Sequence, residues 1–436
     1  MAKITRGLFS WQDVEGLGDL KRLHLVLDAL PDEALMRKLE AERGKGRDDY
    51  PIRAVFNSLL AGIVFGHESV ESLRRELLRN AQLRHVCGFD VVLGARAVPP
   101  PWVYTRFLKR LIQHAEAVQE IFHSLTGLLC EALPDFGEVL AVDGKAISTH
   151  ARARNDWGFP ERPDGRRDTD ADWGVKRKRF DDGGEHVSKW FGYKLHLVAD
   201  ATYELPVAFE VTRASEAEQP QAQHLMHSLG DAQGELVDRC EVLLGDKGYD
   251  SGKLHAQLWQ EHRIKPVIDI RKLWPENVDM RPLAAARNVF YTETGQVHCC
   301  CMNTGRMRQM AYGGFEKDRG TLKYRCPAKH YGARCASRKR CPVRGAIRIS
   351  LDEDRRIFTP IARPSRRWEA LYAKRTAIER VNSRLDVSFG FERHFIRGLR
   401  KMWLRCALSL IVMQAMALGR IKEKQRDKMR SLVQAA

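Results

Sequence analysis

The stretch Val139–Thr149, VLAVDGKAIST, constrains this chain more than any other. Val139–Val142 has no helical period and is rich in β-branched residues, the pattern of a buried strand. It runs into Asp143, and Gly144 then offers a turn. An acid at the end of a buried strand is costly unless something cationic meets it. Alone, Asp143 reads as a turn aspartate before glycine. The pattern recurs, however: Val242–Gly245, VLLG, is a second short apolar run, and it delivers Asp246 followed by KGYD. Two buried strands that each end in a carboxylate predict two acids converging on a metal.

The 436 residues suffice for two or three domains, and 44% apolar with 30% charged residues is the balance of a soluble globular protein. The net charge of +17 is not average and points to a polyanionic partner, nucleic acid first. No lipidation motif or basic amphipathic anchor stands out, and the N-terminus lacks an apolar core of signal-peptide length. The most apolar run, Cys406–Leu418, is interrupted by Ser409 and Gln414 and is too short to span a bilayer, so it predicts a buried core helix. The expectation is a cytoplasmic protein without a membrane partner. Ten cysteines without a secretory signal read as reduced thiols or metal ligands rather than disulfides.

Apolar periodicity makes residues 1–135 helical. Ser69 can start one of these helices, with Val70, Leu73 and Leu77 inward and Arg74, Arg75 and Arg79 outward; a long helix follows over roughly Tyr104–Leu133. Short helices with basic outer faces suit a DNA-binding module and equally a plain bundle with solvated arginines. Residues 136–272 form the first part of an α/β core. Within it the polar segment His150–Lys189, with Trp157 and Trp173, reads as a long exposed loop. Trp190–Ala199 and Leu205–Val211 then pair as a hairpin, and helices alternate with the strands Val242–Asp246 and Lys265–Ile270. The order β-β-β-α-β-α-β is that of a ribonuclease H-like sheet.

Residues 273–360 interrupt this plan with six cysteines: Cys299–Cys301, Cys326, Cys335 and Cys341. Between Glu316 and Arg348 eleven Lys or Arg stand against two acids, which suits contact with DNA phosphate. A structural Zn²⁺ on Cys300, Cys326, Cys335 and Cys341 is one reading of the cysteines. Reduced, partly buried thiols are the other, because the spacing lacks the paired C-x-x-C of a zinc ribbon. Residues 361–400 return to the core, and 401–436 form a C-terminal helix.

The third acid comes from Pro364–Asp386. Ser365 is a fair N-cap for a helix with Trp368, Leu371, Ile378, Val381 and Leu385 on one stripe. Tyr372, Arg375, Glu379, Asn382 and Asp386 fall on the adjacent stripe. Arg375 and Glu379 alone make an ordinary i, i+4 surface pair. Beside two strand-end aspartates, Glu379 becomes the natural third carboxylate. Asp250 reads as the cap of a helix starting near Ser251.

With these residues in place the chain resembles a bacterial insertion-sequence transposase of the DDE type, in the IS1182-like part of the IS4 superfamily. VDGK around Asp143 and GDKGYD around Asp246 resemble the first- and second-aspartate motifs. Tyr372-x-x-Arg375-x-x-x-Glu379 resembles the Y-R-E-K signature, except that Asp386 stands where the lysine would be. Arg384 or Lys374 is then the candidate cation. RDDYPIR and ESLRRELLRN resemble the helical domain that precedes the catalytic core in these proteins. The resemblance implies two Mg²⁺ or Mn²⁺ ions held by Asp143, Asp246 and Glu379. It implies strand cleavage at element ends and strand transfer into target DNA, and a homodimer assembled on double-stranded DNA. Tyr372, Arg375, Lys145, Lys247 and Arg384 are the residues it brings to DNA. The alternatives are a nuclease of the same fold that cuts without joining, and a DNA-binding protein that has lost transposition.

Overall fold

The computed structural model describes residues 18–44, 49–151, 168–179, 184–343 and 345–432; Trp157 lies outside them. Among the described residues seven α-helices precede the sheet: α1 (Lys21–Ala29), α2 (Glu33–Arg43), α3 (Ile52–Val64), α4 (Val70–Arg79), α5 (Ala81–Cys87), α6 (Pro101–Gln113) and α7 (Ala115–Ala132). Ser69 caps α4 as its position predicts, its side chain accepting from the Ser72 N–H at 3.1 Å. The long helix expected over Tyr104–Leu133 is divided at His114, which leaves helical geometry (φ −101°, ψ 34°) and bonds Glu42 at 2.6 Å.

The main sheet contains β1 (Val139–Ser148), β2 (Asp172–Arg179), β3 (Glu185–Asp200), β4 (Pro206–Arg213), β5 (Val242–Gly245) and β6 (Lys265–Ile268). Its order is β2-β3-β1-β5-β6, with β4 also on β3. β1, β3 and β4 are antiparallel neighbours, whereas β1, β5 and β6 are parallel. Helices α8 (Glu218–Ala232) and α9 (Gly234–Arg239) link β4 to β5, and α10 (Gly252–Gln260) links β5 to β6. This mixed α/β order fits a ribonuclease H-like sheet.

Two strand readings need correction. Part of the segment expected as a loop is the antiparallel pair β2–β3, in register from Asp172↔Gly192 to Arg179↔Glu185. Its apolar side chains are exposed (Trp173 53%, Val175 50%), so burial left no hydrophobic signature. Backbone pairing holds it, and Gly174 leaves room for the Trp190 ring, which a Cβ there would meet at 2.3 Å. In β1, Gly144 does not turn the chain; the strand continues to Ser148 along β3.

A single hydrophobic core runs through the N-terminal helices, the sheet and α14 (Leu399–Lys422). Cys406–Leu418 is buried throughout, including the polar pair that interrupts its apolar run. Gln414 donates to Thr126 Oγ1 at 2.8 Å and the Pro206 carbonyl at 3.0 Å, which offsets the burial of an amide. The helix is long and apolar enough to cross a membrane, yet here it is the packed centre of the fold. Gly419 lets α1 come close: a Cβ there would lie 2.7 Å from the Leu25 carbonyl oxygen.

The insertion has two small sheets and a hydrophobic cluster of its own. One sheet holds β7 (Arg281–Leu283), β8 (Ala286–Tyr291), β9 (Val297–Cys300) and β10 (Met307–Gln309); the other holds β11 (Ala311–Glu316), β12 (Thr321–Arg325) and β13 (Ala346–Ser350). The short helix α11 (Pro327–His330) lies between β12 and β13. Asp250 ties the insertion to the core. It does not cap α10, whose N-cap is Ser251. Its buried carboxylate takes two bonds from Arg356, at 2.9 and 3.1 Å, and one from the Arg271 N–H at 2.9 Å.

Removing one partner of a buried ion pair leaves the other charge uncompensated and costs about 3–5 kcal/mol. Asp250→Ala is therefore expected to lower the unfolding free energy by about that amount in chemical denaturation. A loss under about 1 kcal/mol, the scale of an exposed pair, would show that Asp250 is not the anchor.

Candidate active site

The cleft is built where the parallel pair of strands ends. β1 pairs with β5 only over Val139–Ala141, so the two strands part company just before Asp143. Asp246 follows Gly245 directly and starts a 3-10 turn, its Oδ1 accepting from the Gly248 N–H at 2.7 Å. Both acids therefore stand at one end of the sheet. Across from them lie α12 (Arg366–Ala373) and α13 (Thr376–Phe389), joined by a tight turn at Lys374-Arg375. The single helix predicted from Ser365 to Asp386 is thus two, linked by i→i+3 bonds such as Ala377 N to the Lys374 carbonyl at 3.0 Å. Ser365 caps α12 through the Trp368 N–H at 3.2 Å.

Ala377, Ile378, Val381, Leu385 and Phe389 bury one face of α13. That burial turns Arg375, Glu379, Asn382 and Asp386 toward the acids, and all four line a cleft of about 630 Å³ with Asp143, Asp246, Lys145 and Lys176. Asn382 Nδ2 donates to Asp143 Oδ2 at 3.0 Å. Arg375 donates to Glu379 at 2.8 Å and lies 5.6 Å from the centre of the Tyr372 ring. Tyr372 in turn stacks on Trp368, with ring centres 4.8 Å apart and an interplanar angle of 13°.

Burial pushes the Asp143 carboxyl up to about 6, and the neighbouring charge of Asp246 adds to the rise. Lys176 and the Gly144 N–H oppose it. Two acids that repel each other in a desolvated corner suit a divalent cation, which would relieve both effects. Among the described residues no group of three or more His, Cys, Asp or Glu already has a metal-holding arrangement. Asp143 is turned to Asn382 and Glu379 to Arg375. Magnesium usually takes only one or two carboxylates, with phosphate oxygens and water completing its shell. The donor set fits such an ion.

Lys145 meets Asp386 at 2.5 Å and so brings a cation to the position where the helix carries an acid. Arg384, expected at DNA, is placed elsewhere. It binds the carbonyl and carboxylate of Glu204 outside the cleft, and burial lowers its pKa to about 10. Lys247 is exposed on the 3-10 turn and does not line the cleft. Lys176 escaped the sequence reading because β2 did. Glu218 escaped it too: nothing in the sequence marks the first residue of α8 as lying beside Asp143 and the turn after Asp246.

The ten cysteines are free thiols. Those of the insertion line a second cavity, of about 350 Å³. Cys299 lies near Cys326, Cys341 and Cys335: burial and those three neighbours push its thiol up to about 11. Cys300 lines the same cavity and lies 3.4 Å from the Gly305 carbonyl.

Residues 134–414 match the family described as the transposase DDE domain, a span that includes Asp143, Asp246, Glu379 and the whole insertion. The chain belongs to this family. It is a DNA transposase by that membership. Among solved structures it is similar to one described as "Cryo-EM structure of piggyBac transposase synaptic complex with hairpin DNA (SNHP)", at 12% identity and a TM-score of 0.39, over 95% of this chain and 79% of that one. No curated protein matches it.

The displaced Asp143 carboxyl makes stability pH-dependent. Its folded pKa of about 6 lies above the ordinary 3.8, so the folded chain holds an extra proton between those values. Its destabilising effect is absent below that window and complete above it. In chelator, Asp143→Asn is expected to raise the melting temperature at pH 7 and to flatten its fall as the pH rises through the window. Unchanged melting curves at pH 7 would show that Asp143 is not strained by its neighbours.

Proposed function

We propose that this transposase belongs to a bacterial insertion sequence of the IS4 superfamily, in its IS1182-like part, and that it cuts the element's ends and joins them to target DNA. The observation that carries this reading is the convergence of Asp143, Asp246 and Glu379 on one cleft, from inside β1, the end of β5 and a helix. The cofactor is a pair of Mg²⁺ or Mn²⁺ ions held by these three acids and by phosphate. Asp143, Asp246 and Glu379 would hold the ions, which would supply Lewis-acid charge for phosphodiester cleavage and transfer.

The chain's own residues do the positioning. Asn382 orients the Asp143 carboxylate. Arg375 is held over Tyr372 and next to Glu379, within reach of a phosphate entering the cleft. Lys145 and Lys176 offer charge to the strand on the opposite wall. Lys247 meets DNA outside the cleft. The net charge of +17 and the arginine-rich insertion extend the contact to the flanking duplex. The helices before the sheet bind or assemble on element ends, and two copies act together on DNA in the bacterial cytoplasm. Zinc held by Cys326, Cys335 and Cys341 with one member of the Cys299–Cys301 triplet, Cys300 first, would stiffen the insertion.

Asp143→Asn, Asp246→Asn and Glu379→Gln are each expected to abolish cleavage of end-containing DNA while binding persists, since each removes ligand charge and little volume. Cleavage by wild-type protein should require Mg²⁺ or Mn²⁺. Near-normal cutting by one variant would remove that residue from the triad. A product cut but never joined to target would identify a nuclease instead.

Arg375→Ala is expected to slow cleavage at least about tenfold with melting nearly unchanged, because a charge-assisted bond to phosphate contributes roughly 1.5–3 kcal/mol against about 0.3–0.5 for an exposed i, i+4 pair. Cleavage within about twofold of wild type would reduce Arg375 to a surface partner of Glu379.

A further inference from the structure

Glu218, the first residue of α8, reaches back between β1 beside Asp143 and the 3-10 turn that follows Asp246. A Cβ on Gly144, next to Asp143, would fall 2.9 Å from Glu218 Oε1. A Cβ on Gly248, two residues after Asp246, would fall 2.5 Å from Glu218 Oε2 and 2.8 Å from Asp246 Oδ1. The carboxylate therefore bridges the gap, one oxygen against strand β1 and one against the 3-10 turn, and neither glycine tolerates a side chain without expelling it. Neither has a left-handed φ, so close approach rather than backbone freedom accounts for glycine at both positions.

A second observation comes from Tyr249. Its side chain is fully buried, and its hydroxyl has no hydrogen-bond partner among the described residues. The charges acting on it are those of Glu218, Asp143 and Asp246. A buried orphan hydroxyl costs free energy unless something at its tip satisfies it. Beside three carboxylates, that something is a cation's water or a reoriented carboxylate oxygen. The cations near Glu218 are Lys194, at 3.8 Å, and Lys176.

We infer that Glu218 is a further metal-binding acid of this cleft, forming with Asp143 and Asp246 the sheet-side seat of one divalent ion, with Glu379 closing the shell from α13. This rests on the metal-dependent reading proposed above. Sharing the ion's charge among three acids on the rigid sheet leaves Glu379, half-exposed on its helix, free to exchange between Arg375 and the ion when DNA enters.

The test is Mn²⁺ binding to the full-length chain without DNA, followed by electron paramagnetic resonance, with melting temperature on the same preparations. Glu218→Gln is expected to weaken Mn²⁺ binding at least about tenfold, as loss of a supporting group at a metal site does, whereas Lys194→Met should leave it within about twofold. Equal Mn²⁺ affinity in wild type and Glu218→Gln, with Asp143→Asn and Asp246→Asn impaired, would overturn the role of Glu218 and leave the metal-dependent reading standing. Unchanged affinity in all three variants would overturn both. Should Glu218→Gln fail to fold, Fe²⁺ loaded into wild-type protein and fired with peroxide decides: backbone cuts at 143, 218 and 246 support the seat, and cuts lacking the one at 218 overturn it.

Discussion

Asp143 and Asp246 are forced together by the strands that deliver them, and much of the structure answers that repulsion. Burial and the second carboxylate lift the Asp143 carboxyl to about 6. The fold does not neutralise the pair with a buried arginine, as it does at Asp250. It supplies an amide at 3.0 Å from Asn382 and leaves an open cleft beside the acids. A site built this way favours an ion that arrives with its own phosphate partners over one caged by protein.

That arrangement needs a stiff frame. The β1–β5 pairing ends before Asp143, while β3 holds β1 along its full length, so the strand carrying the acid stays fixed as the sheet opens beside it. α13 is seated by five buried side chains, which sets the direction of its polar stripe. Behind the sheet α14 joins the N-terminal helices to the same core, with Gln414 bonded inside it. The insertion keeps its own cluster and is tied back through Asp250 and Arg356. Movement of the insertion is therefore referred to the residue four positions after Asp246.

The helix stripe also shows how a charge can be met from another element. Asp386 stands on the polar stripe of α13, and the strand sets a cation against it as Lys145, two residues beyond Asp143. The pair crosses from strand to helix at the mouth of the cleft. Arg384, two residues before Asp386, cannot do this, because it points a different way round the helix and is taken by Glu204.

The sequence by itself determined the parts governed by local periodicity. Apolar runs ending in Asp143 and Asp246, the capping serine at 365 and the two stripes around Glu379 are readable because burial writes a repeating pattern. It determined the burial of Cys406–Leu418 for the same reason. Only the tertiary structure decided what depends on distant neighbours. β2 is held by backbone pairing with the apolar Trp173 and Val175 exposed, so it leaves no hydrophobic pattern. That the six cysteines of the insertion line one cavity depends on how two small sheets and the segment between them pack, and spacing alone does not say so. Asp250 looks like a helix cap until Arg356, a hundred residues later, claims it. Glu218 reaches the acids through space left by Gly144 and Gly248, and a missing side chain carries no sign in sequence of what fills its place.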